Sequence, residues 1–183
     1  ALAIGLAATA FAAGLYFGRG EHPAFTPEPP AEAVRQLLQL QLPTADGKPQ
    51  ALAQGSGQLR VINFWATWCP PCREAMPEFS RLQQERGSKG GQFIGIALES
   101  ADSVQEFAAK QPTAYPLLIA TPEAVGNLKN LGNSRGGLPF TLVLDRQHRF
   151  AAVFTRELLA QDLRPVVERL AQESAKETAG EVK

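Results

Sequence analysis

The sequence predicts an α/β protein with a central mixed β-sheet flanked by helices. Two observations carry this prediction. Short apolar runs that contain β-branched residues alternate along the chain with stretches in which apolar residues recur at helical spacing. In addition, the last two predicted strands are joined by a short turn and precede a closing amphipathic helix. Such an order of elements places helices against a partly parallel sheet.

Each element rests on a local pattern. The leucines between Leu38 and Leu42 alternate with glutamines, and the turn Asp46-Gly47 then leads into 50–53, which predicts a hairpin. The other elements follow from apolar runs or from helical spacing. They are a buried strand over 59–65, a helix over 70–85, a buried strand over 92–98, a helix over 102–110 with Asp102 as its N-cap, a strand over 117–120, a helix over 123–131, strands over 140–144 and 149–155 joined by a turn at 145–148, and a helix over 158–170.

The composition is that of an ordinary globular chain. It has 183 residues, of which 44% are hydrophobic and 20% are charged. Its 18 Lys and Arg residues balance its 18 Asp and Glu residues, so the formal net charge is +0. Without a basic block, the chain lacks the electrostatic footprint of a nucleic-acid-binding protein, and we expect no nucleic-acid partner.

The first residues form an apolar segment. Residues 1–18 contain no charged side chain, and a helix of that length would be about 27 Å long, close to the ~30 Å hydrocarbon core of a bilayer. We therefore predict an N-terminal membrane anchor over 1–18, the alternatives being the h-region of a cleaved signal peptide or a buried helix. Prolines in 19–30 indicate a linker over 19–35. The folded domain is predicted over 36–172, followed by a flexible polar tail over 173–183.

The only two cysteines, Cys69 and Cys72, are separated by two residues at the junction of a buried strand and a helix. Side chains at positions i and i+3 share a helix face, so the two thiols can form a disulfide with little backbone movement. The helix N-terminus favours a thiolate at Cys69 and lowers its pKa. Cys72 lies one turn further in and should be more buried. An exposed attacking thiolate and a shielded resolving thiol are what disulfide exchange requires.

The cysteine pair has three other possible interpretations. A structural cross-link would close a loop of about four residues, where the entropic stabilisation is small. A zinc site would need two more ligands, and the only histidines are His22 in the linker and His148 in a hairpin turn. A peroxidase would place a threonine three residues before its reactive cysteine, whereas Thr67 lies two residues before Cys69. Each of these interpretations is weaker than disulfide exchange.

The stretch FWATWCPPC, with Pro77 after it and Gly137-Leu138-Pro139 ahead of the strand FTLVL, resembles the thioredoxin superfamily. The apolar N-terminus, the hairpin ending in DGK and the insert around 101–135 resemble more narrowly the membrane-tethered thiol-disulfide oxidoreductases of the TlpA/ResA type. The resemblance covers about 36–172. It implies a thioredoxin-like fold with an N-terminal β-hairpin and a central insert, export across the bacterial inner membrane, and reduction of disulfides in periplasmic proteins such as apocytochromes c or copper-site assembly factors.

The resemblance also implies roles for individual residues. Cys69 would be the nucleophile and Cys72 the resolving thiol. Pro139 would be a cis-proline facing the disulfide, and the backbone of Leu138 would pair with an extended substrate chain. Trp68, next to Cys69, would form an apolar rim of the substrate groove.

The sequence departs from the family pattern at the acid groups. Thioredoxins carry a buried Asp two positions before the tryptophan that matches Trp65, and this chain has Asn63 there. TlpA/ResA-type proteins often have a Glu three residues after the second cysteine, where this chain has Ala75. Glu74 lies about 200° around the helix from Cys72, which predicts a solvated surface residue. Glu99, at the carboxyl end of a predicted strand, is then the candidate proton carrier.

These observations predict an enzyme, a thiol-disulfide oxidoreductase that needs no metal or dissociable cofactor beyond its own Cys69–Cys72 pair. Its expected partners are exported protein disulfides, a membrane electron donor that reduces it again, and the inner membrane through its N-terminal helix. We expect a monomer whose catalytic domain lies in the periplasm. Two alternatives stay open: a disulfide-forming oxidant of the same fold, or a non-catalytic module that binds copper or a client protein through the thiols.

Overall fold

The structure is a computed structural model that describes residues 28–54, 57–87 and 91–180. It confirms the mixed α/β architecture, with a five-stranded sheet between helices and a separate two-stranded hairpin. The elements in chain order are α1 (Ala31–Gln39), β1 (Gln41–Pro43), β2 (Pro49–Ala51), β3 (Leu59–Trp65), α2 (Pro70–Arg86), β4 (Gly91–Ala97), α3 (Ala101–Lys110), β5 (Leu117–Ile119), α4 (Pro122–Asn127), β6 (Phe140–Leu144), β7 (Phe150–Phe154) and α5 (Ala160–Gly180).

Strand β3 is the centre of the sheet, whose order is β5-β4-β3-β6-β7. It runs parallel to β4 and antiparallel to β6. All seven residues of β3 are buried, because the strand has neighbours on both edges and apolar clusters on both faces. A strand covered in this way needs a nearly continuous apolar run, which LRVINFW supplies.

The two faces of the sheet are covered by two apolar clusters. Val61 and Trp65 of β3 belong to the cluster that includes Phe79 of α2 and Val167 of α5. Ile62 and Phe64 belong to the other cluster, which includes residues of α1 and α4. Because side chains alternate along a strand, Asn63 faces the same side as Val61 and Trp65, which is the side of helix α2.

The structure corrects the predicted start of the domain. The predicted hairpin is present, but its first strand begins at Gln41, because Leu38 and Gln39 are the end of helix α1. In this helix Ala33, Val34, Leu37 and Leu38 are buried. Their spacing of three and four residues is helical, whereas the prediction rested on the leucine alternation that continues past the helix end. The hairpin is correspondingly shorter and consists of β1 and β2. Helix α1 also begins inside the linker predicted over 19–35.

The ends of three other helices differ from the prediction. The N-cap of α3 is Ser100, whose hydroxyl accepts a hydrogen bond from the Ser103 N–H, and the predicted cap Asp102 lies in the first turn. Helix α4, predicted to reach 131, ends at Asn127. Helix α5 continues to Gly180, through most of the tail predicted over 173–183. Its polar residues continue the helix without a stop signal such as proline.

The predicted membrane anchor over 1–18 and the linker residues 19–27 lie outside the described residues. Among the helices that are described, no segment is long and apolar enough to cross a membrane.

Candidate active site

Cys69 and Cys72 form a disulfide at the carboxyl end of β3, with an S–S distance of 2.00 Å and a Cα–Cα distance of 5.3 Å. Cys69 is the N-cap of α2 and has extended backbone angles. Its N–H donates to the Ala66 carbonyl at 3.2 Å, and its own carbonyl accepts from the Arg73 N–H at 3.3 Å. The bridge therefore spans the last residue of the loop and the first turn of the helix, as the spacing predicts.

Both cysteines are less accessible than an exposed attacking thiol would be. Cys69 is 4% exposed and Cys72 is fully buried, and both pack in the apolar cluster beneath α2. The prediction that Cys72 is the more buried of the two is confirmed. The prediction of an exposed Cys69 is wrong for this disulfide form, because Cys69 packs in that apolar cluster.

Two prolines occupy the first turn of α2, at Pro70 and Pro71. A helix N-terminus stabilises a thiolate mainly through its unsatisfied N–H groups. Proline has no N–H, so the first N–H of the helix is that of Cys72. The turn therefore offers a Cys69 thiolate fewer backbone donors than a first turn without proline would.

Pro139 lies beside the disulfide loop because of the sheet register. Strand β6 pairs with β3 so that Phe140 lies opposite Phe64, which places the residues just before β6 at the end of β3 from which the loop starts. The Leu138–Pro139 peptide bond is cis, as the resemblance implied. Pro139 is buried, and Leu138 is half-buried and packs against both apolar clusters.

Trp68 is the most exposed large apolar side chain among the described residues, at 67%. It immediately precedes Cys69, so its indole lies at the surface next to the disulfide. Trp65, at the end of β3, is fully buried and stacks at a tilt on Phe107 with ring centroids 5.0 Å apart. Trp65 is thus a core residue, whereas Trp68 is exposed to solvent.

Glu99 is held against the disulfide loop. Strands β3 and β4 are parallel with Trp65 opposite Ala97, so residues two positions beyond each strand end come together. The Glu99 carboxylate accepts hydrogen bonds from the N–H of Thr67 and, at 2.7 Å, from its hydroxyl. The sequence singled out Glu99 but not its partner Thr67, because the contact depends on the strand register.

Asn63 occupies the buried position beneath α2. It is 2% exposed, and its Oδ1 accepts a hydrogen bond from the Thr141 hydroxyl at 3.1 Å. Within the described part of the chain, its Nδ2 has no hydrogen-bond partner. A neutral amide therefore lies on the side of the sheet that carries Cys72, where thioredoxins place a carboxyl.

Glu74 lies on the solvent-exposed side of α2, as predicted, while Ala75 is buried.

No group of three or more His, Cys, Asp or Glu side chains within 28–54, 57–87 and 91–180 is arranged to hold a metal ion. His148, in the β6–β7 turn, accepts a hydrogen bond at 3.0 Å from Arg60, at the opposite end of β3 from the disulfide.

A five-stranded mixed sheet with a Cys-X-X-Cys disulfide at the start of a helix and a cis-proline beside it defines the class of thioredoxin-fold thiol-disulfide oxidoreductases. The chain belongs to the AhpC/TSA family, whose model matches residues 34–158. Curated relatives include ResA of Geobacillus thermodenitrificans, 25% identical over 68% of this chain and 70% of that protein. HelX of Rhodobacter capsulatus is 30% identical over 61% of this chain and 62% of that protein. A further relative, the thioredoxin-like protein YneN of Bacillus subtilis, is 34% identical over 46% of this chain, and this chain spans only about half (52%) of its length.

Solved structures agree with this assignment. A thiol:disulfide interchange protein from Chlorobium tepidum superposes with a TM-score of 0.66 and 30% identity, covering 80% of this chain and 96% of that one. A thioredoxin-related protein from Neisseria meningitidis superposes with a TM-score of 0.65 and 30% identity, covering 72% of this chain and 99% of that one.

Proposed function

We propose that this protein reduces disulfides of exported proteins through the dithiol form of Cys69 and Cys72. The observation that carries the proposal is the disulfide between these residues at the start of α2, next to the cis-proline. Cys69 attacks one sulfur of the substrate disulfide, forms a mixed disulfide and releases the first substrate thiolate. Cys72 then attacks the Cys69 sulfur, which restores the Cys69–Cys72 disulfide and releases the second thiolate. Two electrons pass to the substrate.

The assignment of these roles follows from position. Cys69 keeps some solvent contact and lies at the helix N-terminus, whereas Cys72 is fully buried one turn into the helix. The cysteine that a substrate can approach forms the intermolecular disulfide, whereas the shielded thiol does not react with the substrate directly. The reaction needs no metal or dissociable cofactor, since the dithiol itself carries both electrons.

The prolines of the first turn support reduction rather than oxidation. A strongly oxidising pair has a reduced form that is stabilised, as in DsbA, and such stabilisation requires donors or cations around the thiolate. Here Pro70 and Pro71 contribute no N–H. The pair should therefore favour the disulfide and give up its electrons readily.

The substrate groove is proposed along Leu138, Pro139 and Trp68. An extended chain pairing with the Leu138 backbone would lie beside the cis-proline, while the exposed indole of Trp68 packs on its apolar side chains. Glu99 stays our candidate proton carrier, because its carboxylate lies on the loop that leads to Cys69. Glu99→Gln keeps the shape of the side chain but cannot carry the proton, and it should therefore slow disulfide reduction.

The setting of the reaction is proposed from the sequence and from the resemblance to membrane-tethered oxidoreductases. Residues 1–18 would anchor a monomer in the bacterial inner membrane, with the catalytic domain in the periplasm. A membrane electron carrier would reduce the disulfide after each turnover. Apocytochromes c and copper-site assembly factors are the proposed substrate classes. Recovery of the full-length protein in the soluble periplasmic fraction would contradict the anchor.

The first test is the reduction potential of the Cys69–Cys72 pair, measured by equilibration in dithiothreitol and glutathione buffers. A value of about −200 mV or lower supports a reductant, and one near about −120 mV makes the protein an oxidant. The second test uses Cys72→Ser, which should accumulate mixed disulfides through Cys69, with Cys69→Ser as the matched control that should trap none. A copper- or client-binding module would instead bind Cu(I) or client protein without catalysing exchange.

A further inference from the structure

Asn133 connects the insert to the loop that carries the cis-proline. Its side chain is 4% exposed. The Asn133 Nδ2 donates to the carbonyl of Gly137 at 2.9 Å, and its Oδ1 accepts from the N–H of the same residue at 3.1 Å. One buried amide thus pairs with both main-chain groups of Gly137, as a neighbouring β-strand would.

The backbone of Asn133 is held as well. Its N–H donates to the Leu128 carbonyl at 2.9 Å, and its carbonyl accepts from the Gly136 N–H at 3.2 Å. Leu128 is buried in the apolar cluster of α1 and α4. The loop from 134 to 137 is otherwise exposed, and Gly136 has a positive φ of 65°. Asn133 is therefore the point at which an exposed, glycine-containing loop is fixed to the core.

The residues that Asn133 fixes are adjacent to the proposed substrate groove. Gly137 directly precedes Leu138, whose backbone is the proposed partner of the substrate chain. A Cβ added at Gly137 would meet nothing within 4 Å, so the main chain there has open space beside it. An extended peptide can approach this bare segment.

We propose that Asn133 is a positioning residue for protein substrates: it holds the main chain at Gly137 so that the Leu138 backbone is ready to pair with an extended, disulfide-containing peptide. This inference rests on the function proposed above. Asn133 contacts neither cysteine through any of these bonds, so it acts on binding of the substrate chain and not on the chemistry of the sulfurs.

The test compares Asn133→Ala with Asn127→Ala. Asn127 is also buried, but its Nδ2 binds the Ala33 carbonyl of α1 at 2.8 Å and not the cis-proline loop. Both variants remove a buried amide, so both should lose stability. We expect only Asn133→Ala to lower kcat/KM for a disulfide-bonded peptide, by about tenfold, which corresponds to about 1.4 kcal/mol of transition-state stabilisation. Neither variant should change the reduction potential or the rate with the small disulfide 5,5′-dithiobis(2-nitrobenzoate).

Two further variants keep the test decisive if Asn133→Ala folds poorly. Gly137→Ala places a methyl group in open space, so the fold should be retained while peptide reduction slows and the small-disulfide rate does not. Asn133→Asp keeps the acceptor for the Gly137 N–H and regains a donor only when protonated. Its peptide activity relative to the parent protein at the same pH should therefore recover as the pH falls.

Equal losses for peptide and small disulfides, or equal losses in Asn133→Ala and Asn127→Ala, would show that Asn133 only stabilises the fold and would overturn the inference. Failure of the proposed function is a distinct result, because the parent protein itself would then reduce no peptide disulfide, and the inference would fall with it.

Discussion

The substitution Asn63→Asp tests how strongly the position beneath α2 is shielded from solvent. Asn63 is 2% exposed and receives one hydrogen bond, from Thr141. A carboxylate in its place would lose nearly all its hydration and gain no cation. Burial should raise the pKa of the introduced carboxyl from its ordinary value of about 3.9 to between about 6 and 7.

The expected effect on stability follows by linkage. The unfolded chain ionises near pH 4, whereas the folded chain does so only at the raised pKa, so the variant is progressively destabilised as the pH rises between the two values. Over that interval the free energy of unfolding should fall by about 3–4 kcal/mol relative to the parent protein. Above about pH 7 the difference should stay constant.

Urea unfolding of the disulfide form at pH 4, 5, 6, 7 and 8, followed by tryptophan fluorescence, measures this difference. Asn130→Asp is the matched control, because Asn130 is exposed and an exposed carboxyl should add no such pH dependence. The resolving step in Asn63→Asp should also acquire a pH dependence with the same midpoint, since Asn63 lies on the Cys72 side of the sheet. A pH profile of stability parallel to that of the parent protein would refute the reasoning.

Four other substitutions test separate parts of the structure. Gly95→Ala would bring a Cβ to 2.8 Å from Leu117 Cδ2 and 3.1 Å from the Trp65 indole nitrogen, and we expect a loss of about 1–3 kcal/mol in urea unfolding. Gly126→Ala, whose Cβ would meet nothing within 4 Å, should be neutral or slightly stabilising. Burial, together with the nearby Arg60, lowers the pKa of His148. The parent protein should therefore lose stability as the pH falls below about 6.5, the ordinary pKa of histidine. The variant His148→Asn suits the φ of 61° at this position and should not show this pH dependence in urea unfolding. Thr67→Val removes the hydroxyl donor to Glu99 and should lower the free energy of unfolding by about 1 kcal/mol. An unchanged free energy of unfolding would show that this hydrogen bond does not stabilise the fold.

The central strands could be predicted from sequence because their environment leaves a simple pattern. Strands β3 and β6 are buried along their whole length, so each is a nearly continuous apolar run with sharp ends. The cysteine pair could be placed for the same reason, since it follows β3 directly. The start of the first hairpin strand, predicted at Leu38 but observed at Gln41, shows the limit of this reasoning. Apolar residues at 38, 40 and 42 fit a strand, while those at 33, 34, 37 and 38 fit a helix. Leu38 belongs to both patterns, and packing of the helix in the apolar cluster places it in α1, so that the strand begins only at Gln41.

The contacts that support the site could not be predicted, because they join residues distant in sequence. Thr67 meets Glu99 only in the observed register of β3 and β4. Asn63 meets Thr141 across 78 positions of sequence, through the pairing of β3 with β6. Asn133, in a segment with several glycines, reads locally as an ordinary turn residue. Its role becomes visible only when both of its amide atoms are seen on the backbone of Gly137.

The direction of the redox reaction can be decided by comparing the stabilities of the two forms. The Cys69–Cys72 disulfide spans a sequence separation of 3, so it constrains the unfolded chain little. Any large difference in unfolding free energy between the disulfide and dithiol forms must then arise in the folded state. A difference of about 1.4 kcal/mol shifts the reduction potential of the folded pair by about 30 mV relative to that of the unfolded pair. The site is buried, and the two prolines between the cysteines provide no N–H donors to a thiolate. We therefore expect the disulfide form to be more stable than the dithiol form, as a reductant requires. Urea unfolding in the presence and absence of dithiothreitol measures the difference, and a more stable dithiol form would identify an oxidant.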